Sequence, residues 1–164
     1  MMQDLTLRKS IELAIKTEQL GADFYWRMER KFAEQQELKD IFAQLVKDEK
    51  AHEMQFKAIL KGVPDEPIEQ QQYELHQFLR ATAISEFFRD DAFKNVDSIK
   101  LADDALGRSL AFEKATLQYY QAIRDILGQN QALEEIINAE RTHVITLMKI
   151  ITADAKFRGL SDKW

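Results

Sequence analysis

The chain contains no cysteine, and that absence excludes disulfides, zinc ribbons, four-cysteine iron centres and thiol catalysis together. Proline and glycine are scarce: there are two and five among 164 residues, and the prolines, Pro64 and Pro67, lie close together. Long stretches therefore run without a strong breaker, which favours helices, and no alternating strand-like run stands out. No apolar run approaches the roughly 20 residues that span a bilayer. Residues 1–15 mix charges with isolated apolar side chains instead of forming a signal-peptide core, so a cytoplasmic location is expected. Basic residues are not clustered: 23 Lys and Arg stand against 28 Asp and Glu, a net charge of −5, which argues against a nucleic-acid partner. The length suits one domain with one sizeable core.

What is present is helical periodicity. Leu7, Ile11, Ala14, Glu18, Gly21, Tyr25, Met28 and Phe32 follow one another at spacings of three and four, the seam of a helix over 5–32 packed in a bundle. A second seam, Phe42, Leu45, Glu49, His52, Phe56 and Ile59, predicts a helix over 37–61 that Gly62 and Pro64 end. A third helix is expected over 97–127, with Asp97 as N-cap and Gly128 as its stop. Its seam is Ile99, Ala102, Leu106, Ser109, Glu113, Thr116, Tyr120, Ile123 and Leu127. The fourth follows Asn130, with Leu133, Ile136, Glu140, His143, Leu147 and Ile150 inward. Short links make the hairpins 5–61 and 97–157. The crossover 62–96 is long enough to traverse the bundle and carries its own apolar residues, Tyr73, Leu75, Phe78, Leu79, Ile84, Phe87 and Phe88, so one or two extra helices are expected there. The predicted fold is an all-α, antiparallel four-helix bundle made of two repeated hairpins.

The polar residues on these seams carry the chemistry. Each helix sets one Glu in its apolar stripe: Glu18, Glu49, Glu113 and Glu140. The second and fourth helices add a histidine three residues later, His52 and His143. Three residues on a helix are about 4.5 Å of rise and about 60° of rotation, so the carboxylate and the imidazole can reach one metal. That donor pair suits iron or manganese, and inward Glu plus Glu-x-x-His is the ligand pattern of di-metal bundles. The pattern also repeats. Glu18 and Glu113 are each followed at plus seven by a tyrosine, Tyr25 and Tyr120, and each tyrosine is preceded by an aromatic, Phe24 and Tyr119. The offset is 95 residues from Glu18 to Glu113 and 91 from Glu49 to Glu140. Four buried carboxylates cost several kcal/mol each if unpaired, and the seams offer no Lys or Arg near them. Two divalent cations against four carboxylates and two neutral imidazoles make a neutral cluster. His76 has no Glu three residues before it and is expected to be a surface or packing residue. Trp26 and Trp164 point to packing or a dimer contact.

With these motifs in this order, over roughly 5–156, the chain resembles the rubrerythrin family of ferritin-like di-iron proteins, in the branch without a rubredoxin domain. The resemblance implies that Glu49 and Glu140 bridge two metals, that Glu18 and Glu113 are terminal ligands, and that His52 and His143 each cap one metal. Tyr25 and Tyr120 match tyrosines that hydrogen-bond across the site in that family. The implied cofactor is a pair of iron ions. Manganese shares the ligand set, and zinc can occupy such a site in a purified protein.

Two departures stand out. Rubrerythrins proper carry an additional Glu on the third helix where this chain has Thr116, matched by Gly21 on the first, so the metal movement that carboxylate supports is not implied here. The lack of cysteine leaves no built-in electron-transfer iron, and turnover would draw on an external electron-donor protein. The expected function is an oxidoreductase acting on hydrogen peroxide or dioxygen, as a homodimer or small homo-oligomer. The alternatives are iron binding, ferroxidase action or storage; a di-manganese catalase-type activity; and a non-catalytic structural role.

Overall fold

The computed structural model describes residues 6–66 and 95–157, with residues 74, 77, 78 and 81 between them; at 154–157 the description is of backbone alone. Four long helices make the fold: α1 (Leu7–Lys31), α2 (Gln36–Lys61), α3 (Ala102–Leu127) and α4 (Gln131–Phe157). They form a four-helix bundle. α1 pairs with α2 and α3 pairs with α4 as hairpins, and the hairpins meet through α1 against α3 and α2 against α4. Among the described residues there is no strand. No helix among them is long and apolar enough to cross a membrane.

The helix ends follow local chemistry. Thr6 caps α1, its hydroxyl accepting from Lys9 N–H at 3.2 Å. The same hydroxyl donates to Asp65 Oδ1 at 3.1 Å, while Arg8 Nη1 donates to the Leu60 and Val63 carbonyls, so the chain leaving α2 is tied to the start of α1. Arg30 and Lys31 fall in the last turn of α1, where cations meet the negative end of the helix dipole. α2 ends at Gly62 and α3 at Gly128. Only Gly128 uses the freedom of glycine, at φ 84°; Gly62 sits at φ −95°. Asn130 Oδ1 accepts from Leu133 N–H at 3.0 Å and caps α4.

The expected start of the third helix needs correction. Asp97 is not an N-cap. It lies in a 3₁₀ turn, Val96–Ser98, and α3 starts at Ala102 after an extended Leu101. The reason is burial. Val96 and Ile99 are both in the core, and a 3₁₀ turn brings residues three apart into line on one side. Lys31 Nζ fixes this entry by donating to the Val96 carbonyl at 2.8 Å and the Asp97 carbonyl at 3.1 Å.

The seams are otherwise as expected. Of the residues on the four predicted stripes, only Leu7, Ala102, Leu127 and Ile150, all near helix ends, are less than fully buried. The expectation of further helices in the crossover rests mostly on residues outside those described, among them Tyr73, Leu75, Leu79, Ile84, Phe87 and Phe88. His76 and Trp164 lie outside them too. Phe78 is half exposed, and Trp26 is exposed with the Arg30 guanidinium 4.9 Å over its ring.

Candidate metal centre

Midway along the bundle the four glutamates and two histidines converge. Glu18, Glu49, Glu113 and Glu140 are fully buried, and His52 and His143 nearly so. Each helix contributes one carboxylate because each seam breaks its apolar run at the same height. The histidines come from α2 and α4, one turn along from Glu49 and Glu140, and their rings lie 5.7 Å apart by centroid.

The donor atoms fall into two overlapping sets. Glu18, Glu49, His52 and Glu140 offer one ligand atom each within 4.8 Å of one another. Glu49, Glu113, Glu140 and His143 do the same. Glu49 and Glu140 belong to both. His52 Nδ1 is 2.9 Å from Glu140 Oε1 and 3.5 Å from Glu18 Oε2. His143 Nδ1 is 3.2 Å from Glu113 Oε2, 3.3 Å from Glu140 Oε2 and 3.9 Å from Glu49 Oε1.

The tyrosines cross between the hairpins. Tyr25 of α1 donates its hydroxyl to Glu113 Oε1 of α3, and Tyr120 of α3 donates to Glu18 Oε1 of α1. Each occupies the oxygen of its glutamate that the histidine does not approach. Tyr120 packs edge-on against Phe56, and Tyr25 lies against Phe42 and Phe112, so the hydroxyls are held in apolar surroundings. Tyr119, the aromatic before Tyr120, points elsewhere and donates to the Ser10 carbonyl at 2.6 Å.

Several buried atoms at the centre have no hydrogen-bond partner: both oxygens of Glu49, Glu18 Oε2, Glu140 Oε1, His52 Nδ1 and the Thr116 hydroxyl. The short His52–Glu140 approach is off-line, which is why neither atom is satisfied by it. Buried polar atoms are nearly always paired, and oxygens and an imidazole nitrogen with free lone pairs converging on one space are what a hard or borderline cation requires. The residues fit a pair of metal ions.

The electrostatics agree. Burial, then the charges of Glu18, Glu113 and Glu140, push the Glu49 carboxyl well above its usual range. Burial and Glu140 do the same to Glu113. Burial raises Glu18, although the approach of the His52 imidazole opposes it. Burial would also raise Glu140, but its close approaches to Glu113, His143 and His52 outweigh it and hold that carboxyl low. Burial disfavours charge on the histidines too, yet the facing carboxylates lift His52 to about 10 and His143 to about 11. Protons therefore supply positive charge that this cluster demands, and a metal can replace them.

Comparison with family models, curated proteins and solved structures finds no match. The site stands on its own geometry. All eight residues expected from the sequence are brought together in it.

One feature was not foreseen. Asp48, the residue before Glu49, lies 3.1 Å from His143 Nε2 through Oδ2. Gly21, which the sequence offers as either a tight helix contact or room for an oxidant, is a tight contact. A Cβ at this position would lie 2.8 Å from the Phe112 ring and still closer to Glu49 Oε2. Gly21→Ala is expected to push the Glu49 carboxylate aside. Overpacking of this kind costs about 1–3 kcal/mol, against about 1 kcal/mol gained from helix propensity. A metal affinity at least tenfold weaker, measured by chelator competition, is the expected result; unchanged affinity would show that Glu49 has room to spare.

Proposed function

We propose that this chain is a ferritin-like di-iron protein that reduces hydrogen peroxide, or dioxygen, with electrons from an external donor protein. One observation carries the reading: the two four-residue ligand sets share Glu49 and Glu140. A shared pair of carboxylates can bridge two ions and keep them close enough to act together, while Glu18 with His52 and Glu113 with His143 complete the separate ends. The resemblance of the motif order to rubrerythrins supports the choice of iron and of a peroxide-type oxidant.

A pair of ferrous ions held there would supply two electrons, the number consumed when hydrogen peroxide and two protons become two waters. The protein's residues do the rest. Glu49 and Glu140 would hold the pair between them, with Glu18 and His52 completing one end and Glu113 and His143 the other. Tyr25 and Tyr120 fix the orientation of Glu113 and Glu18 by donating to one oxygen of each. Phe42, Phe56 and Phe112 exclude bulk water around those hydroxyls. With no cysteine in the chain, electrons return from a partner, in keeping with a cytoplasmic protein acting as a dimer or small oligomer.

The test is to load the protein with ferrous iron without air and mix it separately with peroxide and dioxygen, following near-ultraviolet absorbance. Oxidation by peroxide at least tenfold faster than by dioxygen is expected. Equal loading with zinc and iron and no redox response would overturn the enzymatic reading. A closed shell of many subunits in solution would move the assignment to iron storage.

A further inference from the structure

The internal repeat makes the two halves of the site comparable residue by residue, and they differ behind the histidines. His143 turns Nδ1 toward Glu113 and Glu140, and its Nε2–H donates to Asp48 Oδ2 at 3.1 Å. Asp48 is itself held: its other oxygen accepts from Gln44 Nε2 at 2.9 Å. The result is a chain from Gln44 through Asp48 to His143. A carboxylate on the outer nitrogen fixes the tautomer that leaves Nδ1 free to bind metal, orients the ring and raises its basicity.

In the other half the place of Asp48 is taken by Ala139, the residue before Glu140. Ala139 and Asp48 are both partly buried, one on each of the facing helices α4 and α2. Alanine offers no acceptor, and His52 makes no hydrogen bond through Nε2 among the described residues. The place of Gln44 is taken by Glu135, whose carboxylate accepts from Gln131.

We propose that the two metal positions are unequal: Asp48 makes the Glu113–His143 position the tight one, which fills first, and leaves the Glu18–His52 position weaker and exchangeable. Asp48 is a positioning residue, acting on the metal through His143. The proposal rests on the di-metal reading above. It also gives a nearly symmetric site a direction, with one ion retained and the other free to be lost and reloaded.

The experiment is titration of the chelator-stripped full-length protein with Co²⁺, by visible absorption and by competition with a chromophoric chelator. Wild type is expected to bind two ions in steps at least tenfold apart. His143→Ala should remove the tight step and His52→Ala the weak one. Asp48→Ala should weaken the tight step by roughly 10–100-fold, the range for loss of such a partner, and leave the weak step in place. Ala139→Asp should tighten the weak step at least threefold, a gain reduced by the neighbouring charge of Glu135. That gain has no explanation in a merely structural role for the position. Two ions bound with equal affinity, or an Asp48→Ala variant that weakens both steps alike, overturns the proposal while leaving the di-metal reading intact. No binding by the wild type overturns both.

Discussion

Alanine at Glu49, or at Glu140, is expected to abolish binding of both metals at once. The two ligand sets overlap only in these residues, so either substitution removes a donor from each set. Loss of a shared carboxylate also removes the negative charge that lets two cations lie close together. Alanine at Glu18 or Glu113 touches one set only and should leave one ion bound. Metal content after equilibrium dialysis should therefore fall from two per chain to none in the first pair of variants and to one in the second. Full occupancy in Glu49→Ala or Glu140→Ala would remove the bridging assignment, and with it the basis of the proposed function. The folding background favours a clean result, because the hydrophobic core that surrounds the site runs the length of all four helices.

Much of this was legible in the sequence because helices have a fixed period. Once Leu7, Ile11, Ala14, Met28 and Phe32 define an inward face, Glu18 and Tyr25 must share it, and the same reasoning places the residues of the other three helices. The repeat places Tyr25 and Tyr120 alike on their helices, while their bonding across the site was implied only by the resemblance. What escaped was set between elements and not within one. Asp48 sits at the edge of its stripe, beside a Lys and next to a seam Glu, and reads as a solvated helix residue; its partner His143 is 95 positions away. Only the approach of α2 to α4 joins them. The start of α3 was misplaced because Asp97 has the chemistry of a cap, whereas the packing of Val96 and Ile99 decided the backbone. The tightness at Gly21 depends on Phe112 of another helix. A glycine in a helix reads as a small gap; only the packed neighbour shows that the gap holds the Glu49 carboxylate.

Metal-free protein is expected to lose stability as pH rises from 6 to 9, against the usual behaviour of an acidic domain. His52 and His143 are raised from 6.5 to about 10 and about 11 by the carboxylates they face, burial opposing. The stability they contribute is whole below pH 6.5 and is lost as pH climbs toward those values. Glu18, Glu49 and Glu113 run the same way. Burial raises all three above 4.5, so the unfolded chain releases their protons while the folded chain retains them, and the cost of folding grows above that pH. Glu140 alone opposes, its carboxyl held low, but its contribution is already complete above pH 4.5 and fades only on acidification. A net loss of about 2–3 kcal/mol corresponds to a melting temperature lower by roughly 5–10 °C for a chain of this size. A bound cation pair replaces the protons, so metal stabilisation should grow with pH, and the gap between loaded and metal-free melting temperatures should widen from pH 6 to 9. Glu49→Gln sharpens the test. It removes a buried ionisable group at nearly constant volume, so the metal-free variant should melt higher than metal-free wild type at pH 9, while added metal no longer stabilises it. A stabilising substitution that destroys binding is the signature of charge kept for a ligand and not for the fold. Metal-free wild type with a melting temperature constant or rising across this range would mean that the cluster is neutralised by something other than protons and metal.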